Sequence, residues 1–199
     1  SEQVFTISKL SKLKISNPTK NQKYYAEENM IINWNVINVR GKKVNIYNSR
    51  DGGLSWNVIG RSIPNSGQFI WNMPPFDTTS YFSKVKVELS TNTRISDINQ
   101  GDFILYGKPE LKMNSPEKKN LIVEDKSTYK IIWDSKNIRE NRINLYYSDN
   151  NGKKWKPIAK DISNKGYYNW VIPNLKTMDC IFKVESSVQP EVSSISKYS

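Results

Sequence analysis

Tyr47-Asn-Ser-Arg-Asp-Gly-Gly-Leu-Ser-Trp56 returns 99 positions later as Tyr146-Tyr-Ser-Asp-Asn-Asn-Gly-Lys-Lys-Trp155. Tyrosine, serine, glycine and tryptophan recur at fixed places, with Asp51 and Asn150 at the same step. Asp and Asn both accept backbone N–H bonds inside a tight turn, and glycine supplies positive φ. Gly53 and Gly152 therefore mark the turn, and Trp56 and Trp155 fold back over a hairpin. An amide can replace the carboxylate without loss, so the motif builds a turn and does no acid–base chemistry.

The repeat extends in both directions from this hairpin. Upstream, Trp34 matches Trp133; downstream, Ile59 matches Ile158, Gly67 matches Gly166, Trp71 matches Trp170 and Pro74 matches Pro173. The chain has six tryptophans, and all of them fall into these three pairs. Near the edges the offset slips: Leu13–Pro18 matches Leu111–Pro116 at 98, and Lys86-Val-Glu88 matches Lys183-Val-Glu185 at 97. Slips of this size belong in loops, where length changes cost little. A period near 99 is too long for a propeller blade of about 40–50 residues, although Ser49–Trp56 resembles the Asp-box of sialidases and other propellers.

Between the matched positions the chain reads as short strands. Lys43-Val-Asn-Ile-Tyr47 and Lys84-Val-Lys-Val-Glu-Leu89 alternate with the period of two that marks a half-buried strand. Strands are expected at 13–16, 30–36, 42–48, 55–59, 68–72, 83–89 and 103–106, with counterparts such as 143–148 and 181–186. About seven strands per ~95 residues indicate an all-β chain of two immunoglobulin-like or fibronectin type III-like sandwiches in tandem. The expected divisions are 11–107 and 108–199. Residues 1–10 read as the last strand of a preceding repeat, or as a strand that completes the second module in cis or in trans, because Phe5–Pro18 aligns without a gap on Phe103–Pro116. The junction Tyr106-Gly-Lys-Pro-Glu110 is short and carries a proline, which restricts swing between modules. The six tryptophans, Trp34, Trp56, Trp71, Trp133, Trp155 and Trp170, are expected as the structural core.

Composition narrows the chemistry. The chain has 199 residues and no histidine, which removes the usual general base and the commonest metal ligand. The single cysteine, Cys180, excludes an internal disulfide and a cysteine cage. It lies in an apolar stretch and reads as a small buried hydrophobe. No cofactor or metal site is expected. The carboxylate pairs Glu27-Glu28 and Glu124-Asp125 fit solvated turns better than a glycosidase centre. Net charge is +11, with +5 in residues 11–107 (12 basic, 7 acidic) and +6 in residues 108–199 (17 basic, 11 acidic). Such an even spread attracts anionic polymers generally and does not form a dedicated nucleic-acid patch. No run approaches the ~20 apolar residues of a membrane helix.

One resemblance covers nearly the whole chain in two copies. The order Ile32-x-Trp34, Tyr47-x-Ser49-x-Asp51-Gly52-Gly53-x-x-Trp56, Ser66-Gly67-x-Phe69-x-Trp71-x-x-Pro74, then Ile95-Ser96-Asp97 and Phe103 resembles the extracellular modules grouped with fungal cell-wall β-1,6-glucan assembly proteins, a Ser/Thr-rich GPI-anchored membrane family with bacterial and archaeal counterparts. That family often has a cysteine before the valine-rich strand; Cys180 fits, whereas the first module has Ser83-Lys84. The resemblance implies an Ig-like sandwich at a cell surface or wall and brings no catalytic residues.

The expected function is therefore non-catalytic: a structural or interaction unit of a surface layer, stalk, adhesin or fibre, on a cell or a virion. Its expected partners are neighbouring repeats or further copies. The alternative is a binding module for anionic polysaccharide, cell-wall polymer or nucleic acid, using the basic field and the exposed rings of Tyr24-Tyr25 and Tyr167-Tyr168. Strand alternation requires one ring of each pair to point inward.

Overall fold

Alternation sets the inner faces. In the computed structural model, which describes residues 10–118, 124, 126–174 and 180–198, Met30, Ile32 and Trp34 turn inward from one strand, and Val85, Val87 and Leu89 from the strand opposite. The first module contains β1 (Lys12–Asn17), β2 (Lys23–Tyr25), β3 (Asn29–Ile37), β4 (Lys43–Ser49), β5 (Asn57–Pro64), β6 (Gln68–Asn72), β7 (Ser80–Leu89), β8 (Asn92–Ile98) and β9 (Phe103–Tyr106). One sheet runs β1-β3-β6; the other runs β2-β9-β7-β4-β5, with β8 also on β7. Apart from the parallel β2–β9 pair, neighbouring strands are antiparallel.

The nine strands are a seven-strand sandwich with its first and last strands each broken in two. The first leaves β1 at the cis Asn17–Pro18 bond and joins the other sheet as β2. The last is interrupted between β8 and β9, where Asn99 replaces ladder bonds: its side chain accepts from Val85 N–H at 2.7 Å, and its amide donates to Gly101 C=O.

The second module contains β10 (Glu110–Met113), β11 (Thr128–Lys136), β12 (Arg142–Ser148), β13 (Lys156–Ser163), β14 (Tyr167–Val171), β15 (Ile181–Ser186) and β16 (Ser193–Ile195). Its sheets run β10-β11-β14 and β13-β12-β15-β16. The only helical turn among the described residues is 3-10, Arg139–Asn141. The chain separates into two units between Lys108 and Pro109. The chain is all-β: two tandem Ig-like, fibronectin III-like sandwiches. The expected strand within residues 1–10 lies outside the described residues except for Leu10, which is exposed.

Each sandwich closes on its own apolar core. The first gathers Met30, Ile32, Trp34, Ile46, Val87, Phe103 and Leu105 among others; the second gathers Ile131, Trp133, Leu145, Trp170, Phe182 and Val184. The cores are not copies. Register matches Asn48 and Val85 of the first with Tyr147 and Phe182 of the second. Phe182 stacks on Tyr129 at 5.7 Å and meets Trp170 edge-on, and Tyr147 also packs on Trp170. In the first module Phe103 meets Tyr24 edge-on instead. Packing to constant density tolerates such exchanges when total volume is kept.

Candidate functional site

The matched hairpins, read from the sequence as turns, have the same geometry in both modules. Ser49 Oγ accepts the Gly53 N–H at 2.8 Å and donates to Asp51 Oδ1 at 2.7 Å, while Asp51 Oδ1 also accepts the Ser55 N–H at 2.9 Å. In the second hairpin, Ser148 Oγ accepts the Gly152 N–H at 2.9 Å and donates to Asn150 Oδ1 at 2.8 Å, and that oxygen accepts the Lys154 N–H at 2.9 Å. One side-chain oxygen does the same work in each, whether carboxylate or amide. Gly53 and Gly152 hold φ of +100° and +82°, where a side chain is strained. The Ser55 hydroxyl, donating to Asp51, and the Ser55 N–H are the leading reasons why the Asp51 carboxyl sits down at about 2. At neutral pH it is an anion with no proton to give.

Trp34 and Trp133 are each 2% exposed. Their indole N–H groups donate to Asn65 Oδ1 at 2.8 Å and Asn164 Oδ1 at 2.7 Å. A buried indole needs such a partner. Asn65 and Asn164 were not singled out from the sequence, although they match at the same offset of 99. Trp71 and Trp170 are also buried, at one edge of each core.

Trp56 and Trp155 depart from the expectation. They are half-buried and belong to neither core. Each follows a hairpin, and its ring lies beside the turn glycine and over a lysine of β7 or β15: Lys86 Nζ is 5.4 Å from the Trp56 ring centre, and Lys183 Nζ is 5.4 Å from that of Trp155. An indole covers a lysine stem and meets its charge without leaving the surface.

That lysine belongs to a second constellation shared by the modules. Tyr47 on β4 faces Lys86 on β7, and Asn45 faces Glu88. The Tyr47 hydroxyl donates to Glu88 Oε1 at 2.6 Å, Lys86 Nζ lies 3.3 Å from Glu88 Oε2, and the same ammonium sits 4.2 Å above the Tyr47 ring. The second module repeats this: Tyr146 to Glu185 at 2.8 Å, Lys183 to Glu185 at 2.7 Å, and Lys183 4.5 Å above Tyr146.

The electrostatics follow from this geometry. Burial alone would raise the carboxyl pKa values of Glu88 and Glu185; hydrogen bonds from tyrosine and lysine outweigh it and hold both below the usual range. Burial and the bond to Glu185 push the Tyr146 hydroxyl up to about 12, and the bond to Glu88, then burial, raises Tyr47. Both glutamates thus stay charged with each oxygen engaged, and both phenols keep their protons. This arrangement clamps adjacent strands; it offers neither a free acid nor a free base at neutral pH.

The tyrosine pairs divide between inside and outside. Tyr24 and Tyr168 pack against their cores. Tyr25 stacks on Tyr106 at 5.1 Å, and Tyr81 meets Tyr106 edge-on. Tyr167 is 45% exposed, with Lys130 Nζ 4.8 Å above its ring. Each pair therefore leaves one outward ring, and that ring already has a neighbour in the protein. Cys180 is partly buried against the second core, and burial, with Asp149 nearby, raises its thiol to about 11. Glu27 and Glu28 are exposed, and Glu27 sits in a turn at φ 65°. Glu124 is exposed; Asp125 lies outside the described residues. Among the described residues no three acidic or cysteine side chains gather where a metal could bind. No helix there is long and apolar enough to cross a membrane.

No family model matches the chain, and no curated protein does. Several solved tandem-domain structures align along most of the chain. A two-Ig-domain fragment of DIP-gamma superposes with a TM-score of 0.47 at 11% identity, over 94% of this chain and 96% of that one. The fibronectin(III)-like modules of Clostridium thermocellum CbhA give 0.33 at 15% identity, over 94% and 91%. A titin tandem of Ig domains gives 0.37 at 13% identity, over 96% and 97%. At these values the likeness is one of fold alone.

Proposed function

We propose that the chain is a non-catalytic structural or interaction segment of a larger repeat protein exposed on a cell or virion surface, such as a surface layer, stalk, adhesin or fibre. One observation carries this reading: the groups that the two modules share are bonded inside their own module. Trp34 and Trp133 bond Asn65 and Asn164; Ser49 and Ser148 bond the hairpin glycines; Tyr47 and Tyr146 bond Glu88 and Glu185. Duplication has kept what holds strands together. At the one shared position where a carboxylate invites a catalytic reading, Asp51, the second module uses Asn150 in the same bonds. A reaction centre would not survive that exchange; a turn does.

The sequence resemblance to extracellular wall-assembly modules supports the surface location, and neighbouring repeats or further copies are the partners it implies. The test is immunolabelling of intact cells or particles of the source with antibody raised against the chain. Labelling without permeabilisation is expected. Labelling only after lysis would remove the surface role.

A further inference from the structure

The two modules share a scaffold, so each is a control for the other: a feature that folding requires should appear in both. One surface feature does not. Between the edge of β1 and the edge of β8 lies a groove of about 360 Å³, lined by Lys12, Leu13, Lys14, Arg94, Ile95 and Ser96 and flanked by Ile37 on β3. Strand register identifies the equivalent positions in the second module. Lys12 corresponds to Glu110, Lys14 to Lys112 and Ile37 to Lys136; the offset of 97 that carries Ser96 to Ser193 puts Glu191, in the turn before β16, at the place of Arg94. There Lys136 pairs with Glu110 at 3.2 Å, which neutralises that mouth. Of the three cations that line the groove of the first module, Lys14 has an acidic partner, Asp97 at 3.4 Å. Among the described residues neither Lys12 nor Arg94 lies within ion-pair distance of a carboxylate. The sandwich folds with either charge pattern, so its packing does not require the cations of this groove.

We propose that the β1–β8 groove of the first module binds an extended acidic peptide segment of a partner protein. This rests on reading the chain as an interaction segment and names the partner's chemistry. Three features select a peptide. First, both walls are strand edges. The Ile15 N–H donates to Asp97 Oδ2 at 2.8 Å, so it and the Leu13 N–H two residues earlier point away from β3. On the other wall the Asn99 N–H donates to Val85 C=O, which places Asp97 in the bonded register with β7 and turns the peptide groups of Ser96 outward. Outward backbone groups can bond a peptide laid along them.

Second, Lys12 and Lys14 are two residues apart on one strand, hence about 6.6–6.8 Å apart along it. Alternate carboxylates of an extended peptide have the same spacing. Third, the exposed Ile37 and the half-buried Ile95 provide aliphatic contacts, and the lining contains no aromatic ring on which a sugar or a base could stack.

The test is fluorescence anisotropy of a labelled peptide that alternates glutamate with valine, titrated with the whole chain. The variant Lys12→Glu/Arg94→Glu installs the residues found in the second module, so its melting curve should match the parent. Its affinity should fall about tenfold or more. The control Lys153→Glu/Lys154→Glu changes net charge equally at the exposed tip of the second hairpin, and should fall much less. Three results would overturn the proposal: no binding by the parent, an equal loss in the control, or equal competition by oligogalacturonate of matched charge. The second would leave only the general basic field, and the third would assign the groove to acidic glycan. None of them bears on whether intact cells are labelled, so failure of this site is distinguishable from failure of the surface role.

Discussion

Replacing Trp34 with alanine removes an indole ring from the first module's core. Trp34 is 2% exposed, so nearly its whole indole is lost from a packed interior. Large-to-small changes of this kind cost about 3–5 kcal/mol. The indole N–H also satisfies Asn65 Oδ1 at 2.8 Å, and leaving that half-buried oxygen without its donor adds about 1 kcal/mol. The sum, about 4–6 kcal/mol, is comparable to the whole stability of a small domain, about 5–15 kcal/mol. Trp34→Ala should therefore unfold the first module or bring its transition close to room temperature. Trp34→Phe, which keeps most of the ring, should cost about 1–2 kcal/mol. The assay is urea denaturation followed by tryptophan fluorescence, with calorimetry in parallel. The second module, anchored by Trp133, should keep its own transition in both variants. A Trp34→Ala chain that melts like the parent would refute the assignment of the first core.

The other tryptophans should behave differently. Trp56→Ala removes a ring that covers Lys86 at the surface, so its cost should be about 1 kcal/mol by the same denaturation assay. A loss as large as that of Trp34→Ala would mean that Trp56 is a core residue after all. The hairpins should respond unequally to acid. The folded pKa of Asp51, about 2, lies below its ordinary 3.8, so its contribution is complete above about pH 4 and is lost as pH falls toward 2. Amide exchange at Gly53 and Ser55 should quicken across that window relative to the intrinsic rate of an unprotected amide. Exchange at Gly152 and Lys154 should not, because Asn150 does not titrate, and Asp51→Asn should abolish the difference. At the alkaline end Tyr146 should titrate near pH 12 by phenolate absorbance. Its raised value favours the fold below about pH 10, a contribution lost as pH rises through the folded pKa, and Tyr146→Phe should remove that loss.

Most of the architecture was legible because duplication marks it. The offset of 99 picked out the tryptophan pairs and the hairpins without reference to local propensity, and alternation in β4 and β7 gave the inner faces. Two strands of the first module were not legible. β2 is three residues long, and its pairing partner β9 lies about 80 residues away, so no local pattern announces it. β8 reads Asn-Thr-Arg-Ile-Ser-Asp-Ile, polar and largely exposed, and is tied in by the side chains of Asp97 and Asn99. Trp56 and Trp155 show the limit of equating tryptophan with core: a residue just after a turn can lie flat over a lysine stem, and composition does not report which face it takes. The Tyr47–Glu88–Lys86 cluster had a usable signal, since all three residues repeat, but only the strand register places Tyr47 beside Lys86. The charge difference between the β1–β8 groove and its counterpart is visible only once register aligns the modules.

On the proposed reading, the residues shared by the two modules hold strands together. A double-mutant cycle of Tyr47→Phe and Glu88→Gln, with stability read from the first module's urea transition, tests this most directly. The part-buried, charge-assisted hydrogen bond between them predicts a coupling of about 1.5–3 kcal/mol. A coupling indistinguishable from zero, with both single variants as stable as the parent, would contradict the claim.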